Sequence, residues 1–193
     1  MKLLALLAIV VALGDVSAAE NARERPPLPY LDWDACPFEC CTYRDWIANA
    51  PLKVYETRSV KGKFVFEVKQ GESVRGVTGV VITHHYGVSK VLKPITLGYP
   101  LKGEKPVLSL QSGELLYTLH YLGEGVDLFW YKGNLYSDQI SAREPHTDPP
   151  PPDISVQVIS VPKNDWWVKI RNRNGKTGWS RETEKFDKMD ACG

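Results

Sequence analysis

Four cysteines constrain this 193-residue chain more than any other feature, because three of them fall within Cys36, Cys40 and Cys41 and the fourth is Cys192. In an oxidising compartment an even cysteine count implies disulfides. If all four are oxidised within one chain, every connectivity joins Cys192 to the N-terminal cluster. A bond between the neighbours Cys40 and Cys41 would close a strained ring. Cys192 is therefore expected to pair with Cys40 or Cys41, and Cys36 with the other, so that the two ends of the chain lie side by side.

The first residues bear on the compartment. Lys2 supplies a positive start, Leu3 to Leu13 an apolar run of signal-peptide length, and Val16-Ser17-Ala18 or Ser17-Ala18-Ala19 small residues for cleavage. Residues 1–18 are read as a signal peptide and the mature chain as exported, periplasmic or extracellular. No later apolar run is long enough to cross a bilayer, so no membrane insertion is expected after cleavage. The formal net charge is +1, and cleavage removes Lys2 and Asp15 together. A balanced chain has no field with which to gather nucleic acid, and no nucleic-acid partner is expected.

Residues 19–49 comprise a polar, proline-rich leader and the cysteine-rich segment, where Tyr43 and Trp46, three apart, suit one or two helical turns. Beyond it, Val, Ile, Tyr and Phe recur in short runs between glycines: 52–55, 63–68, 74–83, 107–110, 115–122, 126–131, 154–161 and 166–171. Such a pattern places the chain in the all-β class, as a small barrel or sandwich, and two small barrel units are expected. Residues 65–77 also match residues 107–119 at an offset of 42, with Val65/Val107, Gly71/Gly113 and Glu72/Glu114 identical. Each copy reads as strand, Gly-Glu turn, strand. The expected division is a unit at 50–100 and a second at 101–193, the latter interrupted by a proline-rich insertion at 137–153. Pro149 to Pro152 cannot join a sheet interior.

The C-terminal stretch Asp165 to Trp179 carries the most specific pattern. Val168 and Ile170 share one face of a strand, Lys169, Arg171 and Arg173 the other, and Asn174-Gly175 marks a hairpin turn. Trp166-Trp167 followed by a turn and by Gly178-Trp179 resembles SH3 domains, and the Gly-Lys-Thr-Gly-Trp turn is similar to the bacterial SH3-like modules (SH3b) of exported proteins. The strand-Gly-Glu-strand copy at 107–119 resembles the opening of such modules. The unit at 50–100 resembles them only through the repeat, as a degenerate copy. Ser180-Arg181-Glu182 stands where eukaryotic SH3 domains carry Pro and Tyr.

That resemblance implies a non-catalytic module that engages a cell-wall peptide or glycan, or another envelope protein. The alternative is a structural or chaperone-like accessory subunit docked permanently on a partner. The residues expected at the groove are Trp166, Trp179, Trp130, Tyr131, Lys169 and Arg171, aromatic faces beside cations. No catalytic residue, cofactor or metal is expected. Clustered cysteines suit a disulfide knot better than a nucleophile with its base, and adjacent His84 and His85 on a strand point to opposite faces. His120 and His146 are expected at the surface or half-buried.

Overall fold

Alternating apolar and polar residues set the strands. The computed structural model describes residues 24–98, 108–140, 142–143 and 154–192. The expected signal peptide, most of the proline-rich insertion and His146 lie outside them. In chain order the strands are β1 (Tyr30–Trp33), β2 (Asp45–Ala48), β3 (Leu52–Tyr55), β4 (Phe64–Val68), β5 (Ser73–His85), β6 (Gly87–Val91), β7 (Ile95–Leu97), β8 (Leu108–Leu110), β9 (Leu115–Gly123), β10 (Val126–Tyr131), β11 (Asn134–Asp138), β12 (Ala142–Arg143), β13 (Val156–Ser160), β14 (Lys163–Arg171), β15 (Thr177–Ser180) and β16 (Phe186–Asp187). A 3-10 turn at Thr183–Lys185 precedes β16. The fold is all-β.

One sheet runs β16-β2-β5-β14-β15-β3-β4, with β1 added along β5, and curls into a half-barrel. A second runs β11-β10-β9-β6-β13-β12, and β7 pairs with β8. The two repeat one wiring. In the first, β2 pairs with the start of β5, β3 with β4, β5 with β14, and β14 with β15. In the second, β6 pairs with the start of β9, β7 with β8, β9 with β10, and β10 with β11. Their turns also match. Glu72 Oε2 accepts the Lys69 amide at 2.9 Å and Glu114 Oε2 the Gln111 amide at 2.7 Å. Gly71 and Gly113 supply the φ of 80° and 95° that glycine tolerates.

The two units are nested, not consecutive. Instead of joining the strands of 101–122, β14 runs along β5 from Lys163 opposite His85 to Arg171 opposite Arg75. The tryptophan hairpin β14–β15 thus completes the sheet of the expected 50–100 unit. The physical reason is edge satisfaction: β9 already has β6 and β10 on its two sides, whereas the 13-residue β5 needs a partner along its length. The excursion through residues 86–162 leaves and returns at one place. A Cβ on Gly87 would come within 2.8 Å of the Ser160 carbonyl and 2.9 Å of Pro162. Ends that meet let such an excursion leave the host sheet intact.

Each unit has its own core, Trp46, Leu52, Val54, Phe66, Val68, Val74, Val168 and Ile170 in the first, and Val91, Leu97, Leu110, Leu116, Phe129 and Tyr136 in the second. The repeat pairs Val68/Leu110 and Val74/Leu116 are core residues in both. Val77 departs from the repeat: Leu119 is buried, but Val77 is 44% exposed, because Gly76 and Thr78 take the β14 partners on either side and leave it in a bulge.

The disulfides are Cys36–Cys41 and Cys40–Cys192, with Cα separations of 5.5 and 5.7 Å, within the expected pairings. The helical turns expected around Tyr43 and Trp46 do not form. Trp46 lies in β2 instead, fully buried, over Gly76, where a Cβ would stand 2.7 Å from the indole. The two rings still pack, with centroids 5.6 Å apart.

Loop-closure entropy separates the two bridges. The long bridge has a sequence separation of 152 and the short one of 5, which corresponds to about 5 and about 2 kcal/mol of stabilisation. Replacing Cys40 and Cys192 by Ser is expected to lower the urea midpoint clearly more than replacing Cys36 and Cys41, as followed by circular dichroism. Equal losses would mean that the long bridge does not constrain the unfolded chain.

Candidate functional site

Cross-strand register assembles a row of side chains on the half-barrel. Thr78 stands opposite Lys169, Lys169 opposite Trp179, Trp179 opposite Tyr55, and Tyr55 opposite Phe64. Directly paired residues share a face, so the row crosses five strands and is roughly 19 Å long at about 4.8 Å per strand. Beside it lies Trp33, 51% exposed, whose ring meets Trp179 edge-on at 6.4 Å. Trp33 is opposite Val80, which is opposite the buried Trp167.

Arg58 completes the arrangement from the loop between β3 and β4. Its guanidinium carbon lies 4.5 Å from the Trp33 ring centre and 5.2 Å from that of Trp179, and Lys169 Nζ lies 5.9 Å from the same Trp179 centre. The loop holds itself in place: Glu56 donates its amide to the Lys63 carbonyl at 2.8 Å, and Gly62 to that of Ser59 at 2.9 Å. Two indoles and two cations thus stand together on a sheet surface.

The structure distributes the groove residues expected from sequence among three places. Trp179 and Lys169 belong to the row, and Arg171 continues its basic side two residues along, opposite Arg75 and Thr177. Trp166 takes the other face of β14 with Val168 and Ile170. Its indole N–H donates to the Ala35 carbonyl at 3.2 Å and its ring meets Phe38 edge-on at 5.8 Å, so it anchors the disulfide segment. Trp130 and Tyr131 belong to the second unit. Tyr131 donates its hydroxyl to Glu114, and this bond together with the Gln111 amide holds the Glu114 carboxyl below its ordinary range. Trp33 and Arg58 were not legible as site residues, because only the β1–β5 pairing and the β3–β4 loop bring them to Trp179.

A cavity of about 620 Å³ opens between β1 and the β10–β11 turn, lined by Tyr30, Asp32, Trp33, Asp34, Trp130 and Asn134. Behind it is His120, expected near the surface and found 1% exposed. It is buried because both ring nitrogens have partners: Nδ1 is 2.8 Å from the Tyr121 carbonyl and Nε2 is 2.9 Å from Asp32 Oδ2. With Thr83, whose hydroxyl donates to the Leu119 carbonyl at 3.0 Å, this pair joins the first sheet to the second. Among the described residues, Cys40, Asp190 and Cys192 lie close enough to chelate, but the two sulfurs are joined to each other and are not thiolate donors.

No family model, curated protein or solved structure matches the chain.

Two tyrosines beneath this region report on its packing. Burial first, and the Asp32 carboxylate second, push the Tyr30 phenol up to about 12. Burial, with Asp34 and Asp32 adding and the Trp166 N–H opposing, pushes Tyr43 to about 12 as well. An unfolded phenol ionises near 10, so between pH 10 and 12 the unfolded chain loses protons that the folded chain keeps. Stability is expected to be flat up to about pH 10 and to fall from there toward pH 12. Urea titrations across that range, with Tyr43→Phe flattening the fall, check this.

Proposed function

We propose that this protein is a non-catalytic binding module of the cell envelope, exported by its signal peptide, which holds an extended strand of cell-wall peptide or glycan across the Trp33–Trp179 face. The observation that carries the reading is the Trp33–Arg58–Trp179 cluster, in which Trp33 is exposed and the other two are half-buried. Beyond the cation–π contact itself, folding gives little reason to leave an indole half-exposed beside a loop guanidinium that has no ion pair among the described residues, whereas binding surfaces favour Trp and Arg together.

Three further features support it. The two disulfides are compatible with an oxidising compartment. All four cysteines are bridged, which leaves them no nucleophilic thiol. The Trp-Trp hairpin β14–β15 shares a sheet with β4–β5, the repeat copy of the strand-Gly-Glu-strand opening, whereas the opening itself at 107–119 belongs to β8 and β9 in the other two sheets. On this reading the SH3-like unit is assembled from both sides of the nested excursion.

The test is co-sedimentation of the purified protein with cell-wall sacculi. Saturable binding is expected, weakened by about 1 to 3 kcal/mol in Trp33→Ala and in Trp179→Ala, with circular dichroism unchanged. Trp166→Ala is expected to lower the thermal midpoint instead. Absence of saturable binding, together with one stoichiometric partner recovered from envelope extract, would replace this reading with that of a permanently docked accessory subunit.

A further inference from the structure

We infer that the Tyr86–Tyr117 pair is a recognition site for an extended arginine-proline segment, and that residues 25–29 of the same chain fill it as a displaceable internal ligand. The site is separate from the Trp33–Trp179 face and does not depend on the reading of that face. Tyr86 joins β5 to β6, and Tyr117 lies in β9 opposite Val88. Their rings meet edge-on with centroids 5.0 Å apart, which forms an apolar corner and offers two phenol oxygens. The repeat shows that the shared scaffold does not need this corner. Tyr117 matches Arg75 at the offset of 42, and Arg75 stands opposite Asp45 and pairs with it at 3.7 Å. The host unit thus has an ion pair where the nested unit has aromatic surface.

What lies on the corner is the leader Arg25-Pro26-Pro27-Leu28-Pro29. Glu24, just before it, lines a cavity of about 220 Å³ together with Tyr117. The Arg25 guanidinium donates to the Tyr117 hydroxyl, and this bond first, with the Tyr86 phenol second, holds Arg25 above its ordinary value. Pro26 is buried, while its neighbours Arg25 and Pro27 are exposed. Tyr30 is the first residue to enter a sheet, opposite Thr83. Residues 25–29 are therefore held by side chains rather than by a strand ladder.

That mode of attachment selects arginine and proline. A buried proline leaves no amide without a partner, because it has no N–H to lose. Arg25 and Pro26 each precede a proline and are restricted to extended backbone, so little conformational entropy remains to be lost when they settle on aromatic side chains. A guanidinium suits two phenol oxygens because each can accept and it has five N–H donors. The attachment is also small: one buried ring and one exposed guanidinium, placed upstream of the first strand, belong to the part of a structure that opens most easily. An outside segment of the same chemistry must compete with a leader that its tether holds at an effective concentration on the order of millimolar.

The experiment measures, by fluorescence anisotropy, the binding of a labelled Glu-Arg-Pro-Pro-Leu-Pro peptide to the full chain and to two variants that vacate the corner, Arg25→Ala and the double variant Arg25→Ala/Pro26→Gly. Both are expected to bind the peptide more tightly than the unaltered chain, the double variant by about tenfold or more. Replacing the arginine of the peptide by alanine, or adding Tyr117→Phe to the double variant, is expected to cut that affinity about tenfold, since each removes a hydrogen bond to a charged group and leaves the rings in place. Arg25 is exposed, so Arg25→Ala keeps the test open if the double variant does not fold. A variant that keeps its circular dichroism spectrum but binds no peptide overturns the inference and leaves residues 25–29 as packing alone. Equal affinity in the unaltered chain and both variants overturns the internal occupancy. Undiminished affinity without the peptide's arginine overturns the arginine part of the recognition. A dimer of the unaltered chain that the double variant disperses, seen by analytical ultracentrifugation, overturns filling by the same chain in favour of leaders exchanged between copies.

Discussion

The ladder between β5 and β14 is the interaction on which the rest of this structure depends. It joins residues that are distant in the chain, from Lys163 opposite His85 to Arg171 opposite Arg75, and nearly every other feature is arranged around it. One end of β5 takes β2 and the other takes β1, so the same strand carries the core tryptophan Trp46 and the exposed Trp33. On its far side β14 takes β15 and places Lys169 against Trp179. The separation costs little because closure entropy grows slowly with loop length and the intervening residues form a sheet and core of their own.

One covalent link closes the host unit, and two polar links join the nested unit to it. The Cys40–Cys192 bridge holds the chain ends beside β2, and Ala191 donates its amide to the Cys40 carbonyl at 2.8 Å. The His120–Asp32 pair and the Thr83 hydroxyl tie β9 to β1 and β5. His120 and Thr83 are buried, so removing the partner of either leaves it unsatisfied in a poorly solvating environment. For the proposed binding face, the consequence is that Trp33, Trp179 and Arg58 sit on elements pinned from several directions. A preorganised surface gives up less entropy when a ligand settles on it.

The repeat shows where local patterning suffices and where it misleads. Val68, Gly71, Glu72 and Val74 define a strand, a turn and a strand, as do Leu110, Gly113, Glu114 and Leu116, and both turns form with the same side-chain cap. Those features are local, set by positive φ at glycine and by alternation. Which hairpin each long strand accepts is not local. Chain order suggests that β14 follows β9, but β9 is already occupied by β6 and β10, and β5 is not. Trp166 and Trp179 are likewise indistinguishable in composition, yet the strand pleat sends them to opposite faces, one to anchor Phe38 and the disulfide segment and one to the row with Lys169.

Alternation, glycine turns and cysteine number thus account for the all-β class, most of the longer strands, the pairing of Cys192 with the N-terminal cluster and the basic side of β14, since each follows from interactions between near neighbours or from counting. The nesting of one unit in the other, the burial of His120 against Asp32 and the meeting of Trp33, Arg58 and Trp179 were settled in three dimensions. Each requires residues far apart in sequence to compete for one strand edge or one polar partner, and the outcome of such a competition depends on which neighbours are already satisfied.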